Sequence, residues 1–314
     1  MRVFLTGATG YLGAVLAEHF SRMPEIESIT GIDVVPPRSP LPEKVQFVKM
    51  DVRSPEVLSA MTGHDVVVHT AFVVTWYARM PAPERDGINF GGTRNVAEAA
   101  VANKALRFVH ASSVAAYDGS VIAGQSGVTE DAPIGKGNSP SYYANSKATA
   151  ERILTEVIAP TGIALTLLRP TFIIGPRNTT TIKAIHRLTF KPLGHDRARQ
   201  QFVHEEDVAS AFTRALLTDM PGAYNVVPDD YLPFNEVQKI IGMKPSVTIP
   251  LSLARIMSHF SWKYSESESH PSWLDLIFSD TTCSNAKLKA TGWKPNYTTA
   301  EALKSALSQF RQTN

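Results

Sequence analysis

The chain has 314 residues, 43% of them hydrophobic, which is enough for one large or two modest domains with a sizeable buried core. Its 31 basic and 29 acidic residues give a net charge of +2 and are mixed along the sequence, which argues against nucleic-acid partners and anionic membranes. One cysteine, Cys283, excludes an intramolecular disulfide and a cysteine-rich metal site, and fits a reducing cytoplasm.

Neither a membrane span nor a metal site is predicted. The apolar stretch 66–78 is shorter than the ~20 residues that a spanning helix needs. The N-terminus lacks the long apolar core of a secretory signal. The histidines are scattered without the spacing of metal ligands. We therefore expect a soluble cytoplasmic protein that binds a small-molecule substrate.

Short apolar strands and helical patterns alternate through the first two-thirds of the chain. Strands are predicted at 2–6, 28–33, 46–49, 66–69, 107–111 and 164–169, and helices at 10–21, 55–61, 84–102 and 140–158. One more strand is predicted at 224–227. Strands separated by helices predict the α/β class, with a Rossmann-like, doubly wound parallel sheet.

The remaining segments predict a smaller, mainly helical C-terminal region. Residues 1–170 and about 200–227 are assigned to a dinucleotide-binding domain. Residues about 171–199 and 228–314 are assigned to a substrate-binding cap, in which prolines separate short helices. We expect most of the cap's apolar residues to form ordinary core; the alternative is a pocket for a less polar substrate. These residues are Leu251, Leu253, Ile256, Met257, Phe260, Trp262, Trp273, Leu274, Leu276, Ile277 and Phe278.

A glycine-rich turn joins the first strand to the first helix. In Thr6-Gly7-Ala8-Thr9-Gly10-Tyr11-Leu12-Gly13, the glycines permit a tight turn, close backbone approach to a pyrophosphate and close helix–strand packing. The helix N-terminus then offers free N–H groups to the phosphates. The candidate cofactor-binding residues of this turn are Gly7, Thr9, Gly10, Tyr11, Leu12 and Gly13.

Asp33 ends the second strand, about 20 residues after the last glycine. An acidic side chain at this point is expected to accept hydrogen bonds from the ribose hydroxyls and to repel a 2′-phosphate. This favours NAD over NADP, although Arg38 nearby argues for caution.

Tyr143 and Lys147 are four residues apart and share one helix face. A nearby ammonium is expected to lower the high pKa of a tyrosine and so suit it to proton exchange. Ser113 follows the strand 107–111, at the strand end where ligands bind in this architecture. The spacing of Tyr143 and Lys147 alone also fits a solvated helix face. Ser112 is the alternative to Ser113 as the serine that binds a substrate oxygen. Tyr142 is expected to face elsewhere and to pack.

Taken together, these residues resemble the extended short-chain dehydrogenase/reductases, in the NAD-dependent epimerase/dehydratase family. The resemblance covers at least residues 1–211. It includes Asn89-Phe90-Gly91-Gly92-Thr93-Arg94-Asn95-Val96, Ala111-Ser112-Ser113-Val114-Ala115-Ala116-Tyr117, Arg169-Pro170 and Phe202-Val203-His204-Glu205-Glu206-Asp207-Val208-Ala209.

The resemblance implies a catalytic set of Ser113, Tyr143 and Lys147. It adds candidate cofactor contacts at Asp51, Val52, Thr70, Ala71, Asn89 and Pro170, beside those of Tyr143 and Lys147 themselves. It also implies a homodimer formed through the helices that contain Asn89 and Tyr143. His204 and Asp207, in contrast, are interpreted as structural.

Three functions are compatible with these residues. The first is an NAD-dependent oxidoreductase that moves a hydride between the nicotinamide and a hydroxyl or ketone carbon. The second is an NAD-dependent sugar or nucleotide-sugar epimerase, which oxidises and then re-reduces its substrate. The third is a non-catalytic NAD-binding scaffold or sensor. The segment 171–201 is shorter than in many relatives that act on nucleotide sugars. In this respect the sequence departs from the pattern expected for the second function.

Overall fold

The computed structural model describes residues 1–74, 81–178, 182, 190–242, 247–264 and 271–312. Seven parallel strands form its main sheet, in the order β11-β6-β5-β4-β1-β2-β3. They are β1 (Arg2–Thr6), β2 (Ser28–Asp33), β3 (Val45–Lys49), β4 (Val66–His69), β5 (Arg107–Ala111), β6 (Ala164–Pro170) and β11 (Gly222–Val226). The predicted fold class and all seven predicted strands are confirmed.

Helices connect these strands and cover both faces of the sheet. The α-helices of the described residues are α1 (Tyr11–Ser21), α2 (Val57–Ala60), α3 (Ala82–Asp86), α4 (Thr93–Ala102), α5 (Gly119–Ile122), α6 (Tyr142–Ile158), α7 (Glu205–Leu217), α8 (Phe234–Ile241), α9 (Leu251–Tyr264), α10 (Trp273–Ile277), α11 (Ala286–Ala290) and α12 (Thr299–Gln312). Two apolar clusters, one centred on Phe20 and Phe212 and one on Phe4 and Phe108, fill the two faces.

The strand order reverses between β1 and β4, where the chain changes from one half of the sheet to the other. In doubly wound sheets, ligands bind in the crevice at the carboxyl ends of the strands at this point. The glycine turn after β1, the residues after β4 and the serines after β5 therefore meet at one edge.

The predicted helix 84–102 is present but is not α-helical throughout. It consists of α3, a π-helical segment Gly87–Gly92 and α4. Within the π-helical segment, the Asn89 amide bonds the backbone of Val73, and Thr93 Oγ1 donates to the Asn89 carbonyl oxygen. These contacts anchor the widened turn, and such turns are frequent at functional sites.

The C-terminal region adds short strands and helices at one end of the sheet. Its strands are β7 (Phe172–Ile174), β8 (Phe190–Pro192), β9 (Arg199–Gln200), β10 (Phe202–His204), β12 (Leu232–Pro233) and β13 (Val247–Ile249), which pair as β7–β10, β9–β12 and β8–β13. A separate apolar cluster joins β7 and β10 to α8 and α12. The division into two domains at the predicted boundaries stays a prediction.

The expectation that most apolar cap residues are core is wrong for α9. Four predicted core residues on it are largely exposed: Leu253, Ile256, Met257 and Phe260. Leu274 and Phe278, in contrast, are buried with Phe234 and Ala254 in a small cluster. Helical spacing identifies a shared face but not its partner, and Ala254 is the buried residue that attaches α9 to this cluster.

The described residues contain no candidate for a membrane span or a metal site. None of their helices is long and apolar enough to cross a membrane. Within the same residues, no group of three histidine, cysteine or acidic side chains is arranged to hold a metal ion. The polar loop predicted at 265–269 lies outside the described residues.

Candidate active site

The glycine turn has the tight geometry that its sequence predicts. Gly7 has a φ of +70°, and a Cβ there would lie 2.7 Å from the Ala71 nitrogen. A Cβ on Gly13 would lie 2.0 Å from the Gly7 carbonyl oxygen. Helix α1 begins after Gly10 with no side-chain cap, so its first N–H groups stay available to an anion. The turn therefore fits a pyrophosphate.

Asp33 lies at the end of β2, facing this turn. Its carboxylate accepts hydrogen bonds of 3.2 Å from the backbone nitrogens of Thr9 and Val35. Thr9 Oγ1 also donates to the Val35 carbonyl oxygen over 2.9 Å. The acidic group is thereby fixed beside the glycine turn.

Tyr11 and Leu12 occupy the first turn of α1. The Tyr11 hydroxyl donates to Glu205 Oε2 over 2.6 Å, and burial together with the Glu205 carboxylate raises the pKa of that hydroxyl. The Leu12 side chain packs partly buried on the core around Phe20. Both side chains therefore make structural contacts, and their backbone is the part that faces the glycine turn.

The segment after β4 is fastened to β1. Thr70 Oγ1 donates to the Thr6 carbonyl oxygen over 2.7 Å, and the Ala71 nitrogen donates to Thr6 Oγ1 over 3.3 Å. His69 is fully buried between Thr6 and Thr93, and burial lowers its pKa to about 3. His69 is thus a neutral structural histidine, and Thr70 and Ala71 line the crevice.

Asn89 forms hydrogen bonds with the backbone of Val73, in the segment after β4. Its amide oxygen accepts from the Val73 nitrogen over 2.7 Å, and its amide nitrogen donates to the Val73 carbonyl oxygen over 3.2 Å. The same amide nitrogen donates to the Tyr142 hydroxyl, which donates to Asp86 over 2.7 Å. Tyr142 thus packs against Asp86, Asn89 and Arg85, and its hydroxyl has polar partners that the sequence did not indicate.

Asp51 and Val52 lie beside the π-helical segment. Arg53 donates to both carboxylate oxygens of Asp51, which lowers the pKa of that carboxyl. The Val52 carbonyl oxygen accepts from Asn95, and a Cβ on Gly92 would lie 2.4 Å from a Val52 methyl group. The pair is thus held firmly, and any adenine contact of Asp51 would add to its bonds with Arg53.

Tyr143 and Lys147 lie on successive turns of α6 and meet the end of β5. Lys147 Nζ is 5.9 Å from the centroid of the Tyr143 ring and 3.7 Å from that of Phe72. It donates to the Ala111 carbonyl oxygen over 2.7 Å. The lysine, 4% exposed, therefore reaches under the crevice and does not lie on a solvated helix face.

Ser113 completes this group. Its hydroxyl donates to the Pro170 carbonyl oxygen over 3.4 Å, accepts from the Ala115 nitrogen and interacts with Tyr143. Ser112, the rival serine, instead donates to the buried Glu151 carboxylate. Ser113 is thus the serine beside Tyr143.

The pKa of Tyr143 differs from the expectation. Burial raises it, and hydrogen bonding with Ser113 opposes that rise. Lys147 is not among the groups that shift this pKa, and its Nζ donates to the Ala111 carbonyl oxygen. Burial also lowers the pKa of Lys147 itself, to about 7, against an opposing effect of Glu151.

Sequence reasoning missed Trp273. Its ring stacks on that of Tyr143, with centroids 5.2 Å apart and 28° between the planes, and lies 6.2 Å from the ring of Phe172. Helical spacing grouped Trp273 with general cap core and gave no signal for its partner, which is 130 residues away in the sequence. Part of the cap thus covers Tyr143.

His204 and Asp207 are structural, as expected. His204 accepts from the Glu206 nitrogen at the start of α7 and bonds Ser305. Asp207 accepts from the backbone nitrogens of Asn296 and Tyr297. These contacts attach the last part of the chain to the sheet.

Comparison with known proteins identifies the family. The model of the NAD dependent epimerase/dehydratase family matches residues 3–226. The chain belongs to this family. An uncharacterised protein of Mycobacterium bovis is 26% identical over 96% of this chain and 81% of its own length. The L-arabinose 1-dehydrogenase (NAD(P)(+)) of Haloferax volcanii is 27% identical over 78% of this chain and 96% of its own length.

The fold extends beyond the matched region. The UDP-glucuronic acid 4-epimerase of Bacillus cereus, solved with NAD, superimposes with a TM-score of 0.75 at 18% identity and covers 99% of both chains. The family match makes the chain an NAD(P)-dependent enzyme of the extended short-chain dehydrogenase/reductase type. The superposition shows that the cap is included in the shared fold.

Proposed function

We propose that the protein is a dehydrogenase that uses NAD to oxidise a hydroxyl group, or to reduce a ketone, of a small-molecule substrate. The observation that supports it most is the convergence of Ser113, Tyr143 and Lys147 at the strand ends beside the glycine turn. NAD would accept the hydride when a hydroxyl is oxidised, and its reduced form would donate the hydride when a ketone is reduced. The turn, Asp33 and the segment around Ala71 would hold the cofactor.

The chain's own groups would handle the proton. The Tyr143 hydroxyl exchanges a proton with the substrate oxygen, while the Ser113 hydroxyl orients that oxygen by a hydrogen bond. Burial lowers the pKa of Lys147 to about 7. In its protonated form Lys147 would oppose the rise that burial causes in the pKa of Tyr143, and it has donors left for a ribose. Trp273 over Tyr143 excludes water from one side of the reacting group.

Asp33 supports a preference for NAD over NADP. Its carboxylate is fixed next to Thr9 by backbone hydrogen bonds, so it is placed to accept from ribose hydroxyls and to repel a 2′-phosphate. Arg38 is the residue nearby that would oppose this preference.

The cap, about residues 171–199 and 228–314, is proposed to bind the substrate. The aromatic wall of Trp273 and Phe172 against Tyr143 supports a substrate with an apolar face near its reacting carbon. We further propose a homodimer formed through α4 and α6, which pack side by side; sedimentation at micromolar concentration tests it. The free, buried Cys283 fits a reducing compartment such as the cytoplasm.

One experiment tests the dehydrogenase. Purified protein is mixed with NAD and, one at a time, a panel of simple alcohols, sugars and sugar nucleotides, and the reduced-nicotinamide absorbance band is followed. Its growth with one substrate, abolished in Tyr143→Phe, supports the proposal. Absence of both reduction and substrate conversion across the panel, with NAD bound, would instead support a scaffold or sensor.

A sugar-nucleotide epimerase is the second candidate. It is favoured by the superposition on a UDP-glucuronic acid 4-epimerase, which extends over the cap as well as the sheet. The same experiment separates the two. An epimerase converts the sugar while the hydride returns to the substrate, so the product changes without accumulation of reduced cofactor.

A further inference from the structure

A buried ion pair lies directly behind the candidate catalytic group. Arg169 donates to Glu151 through Nε over 2.8 Å and through Nη2 over 2.6 Å, a bidentate pair. The two side chains are 5% and 2% exposed, respectively. Ser112 donates a third hydrogen bond to the same carboxylate. Such burial is costly for an isolated charge, so the carboxylate depends on these partners.

Glu151 connects the three segments that contain the candidate site. It follows Lys147 by one turn of α6, and Tyr143 by two turns. Lys147 binds the Ala111 carbonyl oxygen while Glu151 binds the Ser112 hydroxyl, so two successive turns of α6 hold the last residue of β5 and the residue that follows it. Ser113 comes next in the chain, and its orientation follows from this double attachment.

Arg169 extends the attachment to β6. The residue after it, Pro170, provides the carbonyl oxygen that accepts from Ser113 Oγ. The Arg169 guanidinium also lies 4.6 Å from the centroid of the Tyr117 ring. Loss of the Glu151 carboxylate would therefore release both strand ends that contact Ser113.

Glu151 also provides a negative charge near Lys147. Among the described residues, the other ionisable groups that interact with the lysine are Tyr143 on α6, His69 on β4 and His110 on β5, while Arg169 on β6 is paired with Glu151. Burial, followed by the effect of Lys147, holds the pKa of both histidines far below neutral. Of these neighbours, Glu151 favours the ammonium form, and its effect opposes the burial of Lys147.

We propose that Glu151 is a positioning residue of this site, which orients Ser113 through Ser112 and keeps Lys147 protonated. The proposal deepens the proposed function and rests on it for its catalytic meaning. The effect of Glu151 on Lys147 can be measured without a substrate, so this proposal and the proposed function can fail separately.

The test uses Glu151→Gln, which removes the charge and keeps the volume. Glu156→Gln is the matched control, because Glu156 lies on the same helix in an exposed ion pair with Arg94. Protein labelled with ¹³C at lysine Cε is titrated by NMR, and the Lys147→Arg spectrum assigns the resonance. We expect the Lys147 pKa to fall by about one pH unit or more in Glu151→Gln and to stay unchanged in Glu156→Gln.

A second variant keeps the test possible if Glu151→Gln does not fold. Glu151→Gln leaves Arg169 buried without its partner, which can prevent folding. The double variant Glu151→Gln, Arg169→Gln removes both charges, and it should show a smaller decrease of the same sign. A Lys147 pKa within about 0.3 unit of the wild type in whichever of the two folds would overturn the proposal.

Activity, once a substrate is known, gives an independent readout. Lys147 should lose its proton at a lower pH in Glu151→Gln. The alkaline limb of the plot of kcat against pH should therefore shift to lower pH by the same interval as the measured Lys147 pKa, and KM should change little. Glu151→Asp, which keeps the charge, should return most of the kcat profile to its wild-type position. An unshifted limb together with a shifted Lys147 pKa would refute the protonation role of Glu151 in turnover.

Discussion

The carboxyl edge of the main sheet and helix α9 of the cap show opposite surroundings. At the sheet edge, Ser113, Lys147 and Glu151 are 7%, 4% and 2% exposed, and each has hydrogen-bond partners on another segment. On α9, Ile256 and Phe260 are 54% and 56% exposed. Side chains at the edge are thus fixed by several segments at once, whereas α9 depends on few buried contacts. Substitutions should act strongly in the first region and weakly in the second.

The largest effect is expected for Tyr143→Phe. The variant keeps the ring that stacks on Trp273 but loses the hydroxyl that exchanges the proton. Loss of general acid–base catalysis should lower kcat by about 10²–10⁴-fold while NAD affinity changes little. Steady-state kinetics and a fluorescence titration with NAD measure the two quantities.

Tyr142→Phe is the matched control for this prediction. Its hydroxyl contacts Asp86 and Asn89, away from Ser113. It should keep most of the turnover. Equal losses of kcat in both variants would show that Tyr143 has no special chemical role.

Gly13→Ala should disturb the glycine turn itself. The added Cβ would lie 2.0 Å from the Gly7 carbonyl oxygen, which is backbone and cannot simply rotate away. We expect a loss of about 1–3 kcal/mol in the free energy of unfolding, together with weaker NAD binding. Urea denaturation followed by circular dichroism measures the first, and titration the second.

Gly119→Ala provides the comparison, since no atom of the described residues outside its chain neighbours lies within 4 Å of its added Cβ. Its unfolding free energy and NAD affinity should both stay near those of the wild type. A tolerated Gly13→Ala with normal NAD affinity would mean that the turn can open without cost.

Asp33→Ala should act on cofactor choice. Removal of the acceptor is expected to weaken NAD binding by roughly 5–150-fold, and NADP binding by less, because a source of repulsion for the 2′-phosphate disappears as well. Isothermal titration with both cofactors measures the ratio. Equal losses for the two would exclude Asp33 as the residue that distinguishes them.

Much of the sheet and of its edge could be predicted from the sequence, because local patterns specify them. Apolar runs bounded by turn residues identified all seven strands of the main sheet. The glycine spacing and the tyrosine–lysine pair are also local, and the family resemblance singled out Ser113. Phe72 and Trp273 were missed, since their contacts with Lys147 and Tyr143 join distant segments that no short pattern reveals.

Errors arose where tertiary contacts override local pattern. The π-helical turn at Gly87–Gly92 depends on the bonds of Asn89 with Val73, and helical periodicity does not distinguish it from a regular helix. Burial raises the pKa of Tyr143, and the four-residue spacing of Tyr143 and Lys147 does not reveal that burial. On α9 the apolar spacing was recognised, but a core was assumed on a face that is exposed.

The smallest effect is expected for Phe260→Ala on α9, and Phe212→Ala in the fully buried core is its matched partner. The same atoms are removed in both variants, so burial is the main difference. Phe212→Ala should lower the free energy of unfolding by about 3–5 kcal/mol, and Phe260→Ala by no more than about 0.5 kcal/mol. Urea denaturation at two protein concentrations measures both. A loss of about 2 kcal/mol or more for Phe260→Ala would show that the exposed face of α9 is covered in solution. Dependence of that loss on concentration would identify a second copy of the chain as the cover, because dissociation then accompanies unfolding.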